Sequence, residues 1–143
     1  HIWHGIVLST WAGAKGGLGA LGLVKQAKAE LEKAIELEPQ ALDGSAYTSL
    51  ASLYYQVPGW PIGFGDEDKA EALFKQALAL NPNGIDPNYF HGDFLLRQKR
   101  YGEARAALEK ALAAPDRAGR EVADAGRHDE ARALLAQVKE KLE

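Results

Sequence analysis

One pattern recurs three times along this 143-residue chain. Ala27, Leu31, Ala34 and Pro39 return 43 residues later as Ala70, Phe74, Ala77 and Pro82. Ala104, Leu108 and Ala111 repeat the apolar part 34 residues further on, and Pro115 follows one residue early. The longer offset also relates Trp11 to Tyr54, Gly16 to Gly59 and Gly22 to Gly65. Self-similarity at this period marks stacked repeats, because one short supersecondary unit cannot bury its apolar face and needs neighbours to complete a core. Within a repeat the spacing is helical: Ala70, Leu73, Phe74, Ala77, Leu78 and Leu80 fall three and four apart and form one stripe. The predicted fold class is therefore all-α, built from antiparallel helix pairs.

The stretch 41–82 is the template for the rest. Tyr47, Leu50, Ala51, Leu53 and Tyr54 give the first helix an apolar face, and Val57-Pro58-Gly59 stops it. Asp66 and Asp68 place negative charge where the second helix begins and its dipole is positive. Asn81-Pro82 ends that helix, since a residue before proline avoids helical dihedrals. Upstream, residues 1–14 read as a helix with Trp3, Val7 and Trp11 four apart. Gly16–Gly22 (GGLGALG) contains a literal G-x-G-x-x-G, but no strand precedes it, so a dinucleotide site is rejected in favour of an inter-helix loop matching GWPIGFG. Residues 23–38 form the next helix. Downstream, helices are predicted over about Pro87–Gln98, Glu103–Ala113, Arg120–Ala125 and Asp129–Leu142, with turns at Lys99–Gly102 and Gly126–Asp129. The repeats then cover about 1–39, 40–82 and 84–115, and capping helices cover 117–143, all in a single domain.

Composition excludes several roles. A net charge of −3 argues against a nucleic-acid partner, which needs a basic face. No run of about 18 apolar residues is present to span a membrane. Cysteine is absent, so disulfides, zinc–thiolate sites and thiol nucleophiles are excluded. His1 opens a chain without methionine, from which we expect the natural start, with or without a signal peptide, to have been removed. A periplasmic or secreted location is the expectation, with the cytoplasm as the alternative.

The alanine, bulky residue, alanine, proline order at Ala27-Leu31-Ala34-Pro39 and Ala70-Phe74-Ala77-Pro82 resembles the second helix of tetratricopeptide repeats. Tyr47-Leu50-Ala51-Tyr54 resembles the first helix, and RYGEA and RHDEA resemble the turn between the two. The chain also resembles small bacterial repeat proteins, including the repeat component of periplasmic solute transporters. About seven extra residues separate the helices of the first two units, a departure from that pattern. The resemblance implies a right-handed superhelix of about three repeats plus a C-terminal cap, with first helices lining a concave groove that binds peptides or a partner helix.

Carried over position by position, the groove would present Ser45, Thr48, Ser52 and Tyr55 from the central unit. Tyr89, Asp93 and Leu96 would follow from the next unit, and Gly5, Ser9 and Ala12 from the first. The lysines and asparagines with which some relatives hold a C-terminal carboxylate are absent there. Trp60 and Phe64, in the GWPIGFGD loop, either fold back on their own repeat or wall the binding site. The expected function is a non-enzymatic scaffold for another protein or peptide. The alternative is an accessory protein enclosing a small solute or lipid between the two long loops. Catalysis is not expected: His91, Asp93, Asp66 and Asp68 form no recognised acid–base or metal motif, and neither a metal nor a cofactor is called for. Self-association through the Trp3–Trp11 face is a further expectation, giving a homodimer.

Overall fold

The computed structural model describes Ile2, residues 17–59 and residues 63–143. Among them run six α-helices: α1 (Gly17–Leu37), α2 (Ser45–Gln56), α3 (Glu67–Leu80), α4 (Ile85–Arg97), α5 (Tyr101–Ala113) and α6 (Glu121–Leu142). The fold is all-α, as the spacing predicts. The helices gather into two compact units, His1–Leu80 and Asn81–Glu143.

In the first unit α2 packs against both α1 and α3. The repeated positions are the ones that reach the core: Ala27, Leu31 and Ala34 on α1, and Ala70, Phe74 and Ala77 on α3, are all buried. Between them α2 contributes Ala46, Leu50, Ala51, Leu53 and Tyr54. Each fully buried Leu or Phe stabilises by about 1.5–3 kcal/mol relative to leaving it in water. Alanine at the alternate positions keeps the backbones close enough for those large side chains to interlock. The turn before α2 is unusual. Leu42, Asp43 and Gly44 all have left-handed backbone, with φ of 51°, 55° and 79°. The φ of Gly44 favours glycine, and a Cβ added there would have to displace the Leu80 side chain, 2.9 Å away.

One expected loop is a helix. From Gly17 onward the GGLGALG run is the start of α1, not an inter-helix connection. The 43-residue offset fails here for a physical reason. GWPIGFG follows Pro58 and contains Pro61, and these prolines forbid a continuous helix, whereas GGLGALG holds no proline. Its glycines weaken the helix by about 1 kcal/mol each without forbidding it. Leu23 extends the stripe of Ala27 and Leu31 backward by one turn.

In the second unit α4, α5 and α6 pack pairwise. Phe94, Leu95, Ala104, Leu108, Ala111, Ala131, Leu135 and Val138 make the core. The α4–α5 turn is a Schellman closure: Arg100 N–H donates to Leu95 O at 2.9 Å and Lys99 N–H to Leu96 O at 3.0 Å. Lys99 takes the left-handed position, φ 62°, where glycine is commoner. The buried Asn88 amide donates to Pro82 O at 3.0 Å and Gly84 O at 2.9 Å, and so ties the connector before α4.

A second expectation is corrected in this unit. Residues 126–129 do not form a turn; a single helix runs through them from Glu121 to Leu142. Three contacts hold that continuous form. Arg127 Nε donates to Asp86 Oδ1 at 3.0 Å, His128 Nε2 lies 2.9 Å from Ala114 O, and Arg117 clasps the buried Asp124. These partners come from outside the GRHDEA motif, so its likeness to KRYGEA is one of sequence only.

Candidate partner-binding site

Ser45, Thr48, Ser52 and Tyr55 fall three, four and three apart on α2, and hence on one face. That face is less open than its composition suggests. Thr48 is only 5% exposed. Ser52 Oγ donates to Thr48 O at 2.9 Å, a back-bond inside the helix. Ser45 Oγ is buried and has no hydrogen-bond partner among the described residues. Tyr55 is half-buried: its ring lies 5.9 Å from that of Phe74, and its hydroxyl accepts from Gln56 Nε2 at 3.1 Å.

The loop after α2 is folded onto its own unit. Gly63 N–H donates to Gly59 O at 3.1 Å, Gly65 N–H to Pro58 O at 2.9 Å, and Asp66 N–H to Tyr54 O at 2.9 Å. A Cβ on Gly65 would stand 1.9 Å from Val57 O, so no other residue fits. Phe64 does not project outward. Its ring meets Tyr54 edge-on, with centroids 5.6 Å apart and planes at 83°. Lys28 Nζ lies 5.3 Å from the Phe64 ring and 5.8 Å from Tyr54, and Lys69 Nζ approaches Tyr54 at 5.6 Å. Trp60 lies outside the described residues, as do Gly5, Ser9, Ala12, Trp3 and Trp11.

Beside this loop is an open recess of about 370 Å³. Tyr54, Tyr55 and Val57 form its apolar side; Asp66, Glu67 and Asp68 form its acidic side. Asp66 Oδ1 accepts the Lys69 N–H at 3.1 Å and so caps the first turn of α3. Glu67 and Asp68 stand in the same first turn, where the helix dipole favours them.

In the second unit Tyr89, Asp93 and Leu96 share a face of α4. Asp93 pairs with Arg97 at 3.3 Å. Tyr89 lies edge-on to Phe90 at 5.1 Å, and the Arg127 guanidinium stands 4.8 Å from one ring and 4.7 Å from the other. Arg127 is held there by Asp86 at 3.0 Å and Glu130 at 3.2 Å. Burial, then the nearby Glu130 and Asp93 carboxylates, push the Tyr89 hydroxyl above its usual pKa. Phe90, Asp86 and Arg127 were not legible as parts of this patch, because the residues that join them lie 41 positions apart in the chain. His91 stacks on Phe94 at 6.4 Å. No cluster of three His, Asp or Glu suited to a metal ion occurs among the described residues.

The helix pairs make alanine-lined contacts, and the residues at the repeat positions are buried. Tetratricopeptide repeat family models match residues 62–124 and residues 18–41. The chain belongs to the tetratricopeptide repeat family. No curated protein matches it in sequence. Tetratricopeptide repeats generally mediate protein–protein interaction and are typically non-enzymatic scaffolds. No helix among the described residues of this repeat protein is long and apolar enough to cross a membrane.

Proposed function

We propose that this tetratricopeptide repeat protein is a non-enzymatic scaffold that binds a peptide or a partner helix beside the Gly59–Gly65 loop. The observation that carries this reading is the open recess next to Tyr55, walled on one side by a glycine-locked loop. A preformed wall spares a ligand the ordering entropy that a floppy loop would demand. Tyr55 supplies an amphipathic ring at the mouth, and Asp66, Glu67 and Asp68 supply acceptors. Ser45, Thr48 and Ser52 then act chiefly by keeping the α2 face narrow and polar. Tyr89, Asp93 and Leu96 form a second patch, in the other unit, with the same aromatic and acidic character.

The alternative of a small solute enclosed between two long loops loses support, because the first of those loops is helical from Gly17. The recess is open rather than enclosed.

The test is capture from a lysate of the source organism with the tagged chain, run beside a Tyr55→Ala/Tyr89→Ala variant and read by mass spectrometry. The reading expects a protein retained by wild type and lost by the variant, with matching far-ultraviolet circular dichroism. Equal retention by both folded forms would remove Tyr55 and Tyr89 from the site.

A further inference from the structure

We infer that Lys28 is a positioning residue: its ammonium, held over the Phe64 and Tyr54 rings, pins the loop that walls the recess. The functional consequence rests on the reading above; the pin itself does not.

Lys28 belongs to α1, and its side chain is half-buried rather than free in solvent. Its Nζ lies 5.3 Å from the Phe64 ring and 5.8 Å from the Tyr54 ring. The two rings meet at 83°, so a single cation between them faces both π systems. Glu32, one turn further along α1, sits 3.4 Å from the ammonium and orients it.

Phe64 is flanked by Gly63 and Gly65, which bring no side chains of their own. Among the described residues, the Gly63, Gly65 and Asp66 amides donate to Gly59, Pro58 and Tyr54 carbonyls, and only the last of these lies in α2. Phe64 is therefore the one large side chain by which residues 63–65 grip the unit, and Lys28 is what closes over it. Gly65 lines the recess directly, so any movement of Phe64 moves that wall.

The sequence offers no hint of this role. Lys28 falls among alternating charges on a helix, where lysine ordinarily does no more than face water.

The experiment is residue-resolved amide hydrogen exchange on the full chain, comparing wild type with Lys28→Met and Lys28→Arg. Methionine keeps an unbranched apolar stem and removes the charge; arginine keeps the charge. Two cation–π contacts at a partly exposed site correspond to about five- to thirtyfold faster opening when they are lost. Lys28→Met should speed exchange of the Gly63, Gly65 and Asp66 amides by that factor and leave α2 and α3 amides unchanged. Lys28→Arg should restore wild-type rates. Unchanged loop rates in Lys28→Met would overturn the proposal. So would equal acceleration throughout α1–α3, which would make Lys28 an ordinary stabilising residue. Loss of loop protection with partner capture intact would sustain the pin and instead remove the loop from the binding site.

Discussion

Asp124 is an ionised side chain with almost no contact with water, and its neighbours explain why it is tolerated. It is 1% exposed. Arg117 reaches it three times: Nη2 to Oδ1 at 2.7 Å, Nε to Oδ2 at 3.1 Å, and the backbone N–H to Oδ2 at 2.7 Å. Those hydrogen bonds outweigh the desolvation of the carboxylate and hold its pKa down to about 2. The folded value lies below the unfolded one of 3.8, so the stabilisation is complete above that value. It drains away as pH falls through about 2. By linkage the charge is worth about 2 kcal/mol at neutral pH. Asp124→Asn should lower the urea midpoint by an amount equivalent to that at pH 6, and the gap between variant and wild type should close as pH falls from 4 toward 2. A gap independent of pH would show that the loss is steric rather than electrostatic. Gly65 is a second residue fixed by its surroundings, here by Val57 O at 1.9 Å from any added Cβ. Gly65→Ala must push the loop off α2, and a loss of about 2 kcal/mol or more is expected by thermal melting.

The boundaries of elements were legible where proline or the apolar stripe set them. Ala27, Leu31, Ala34, Ala70, Phe74, Ala77, Ala104, Leu108 and Ala111 were all readable as core from spacing alone, and all are buried. Leu37, Gln56 and Leu80 end helices just before Glu38-Pro39, Val57-Pro58 and Asn81-Pro82. What was not legible depended on glycine, which signals a break in sequence but does not compel one. Gly17, Gly19 and Gly22 lie in α1, and Gly126 lies in α6, although both stretches read as connectors. The contacts that decided the matter for α6 come from Asp86, Ala114 and Arg117, far from Gly126 in the chain. The surroundings of the candidate residues were legible only in part. Tyr55 and Tyr89 could be placed on helix faces, but that Thr48 is buried and Phe64 lies under Lys28 depended on packing between elements. Gly126 gives a direct test of the continuous helix. A Cβ there would meet nothing within 4 Å. Gly126→Ala should therefore raise stability by about 0.5–1 kcal/mol, the ordinary gain at an exposed helix interior. Had residues 126–129 formed the expected turn, with Gly126 left-handed like Lys99, the same change would lower it.

At the scale of the molecule, each unit has its own core, and repeat proteins distribute stability accordingly. The free energy of such an array is roughly a sum of intrinsic terms and nearest-neighbour terms, so damage need not spread evenly. Phe74, on α3, is wholly buried in the first unit, with its ring against Tyr55 of α2. Leu108 holds the same repeat position in the second unit and is equally buried. Phe74→Ala removes about 3–5 kcal/mol of packing, enough to unfold much of a marginal unit. If the two cores open separately, amide exchange in that variant will accelerate across α1–α3 far more than across α4–α6. Leu108→Ala, at about 2–5 kcal/mol, should show the reverse distribution. Uniform acceleration in both variants would mean that the chain unfolds as one cooperative body. The distinction reaches function, since a partner that engages only the recess in the first unit would then protect α1–α3 selectively in the first case and the whole chain in the second.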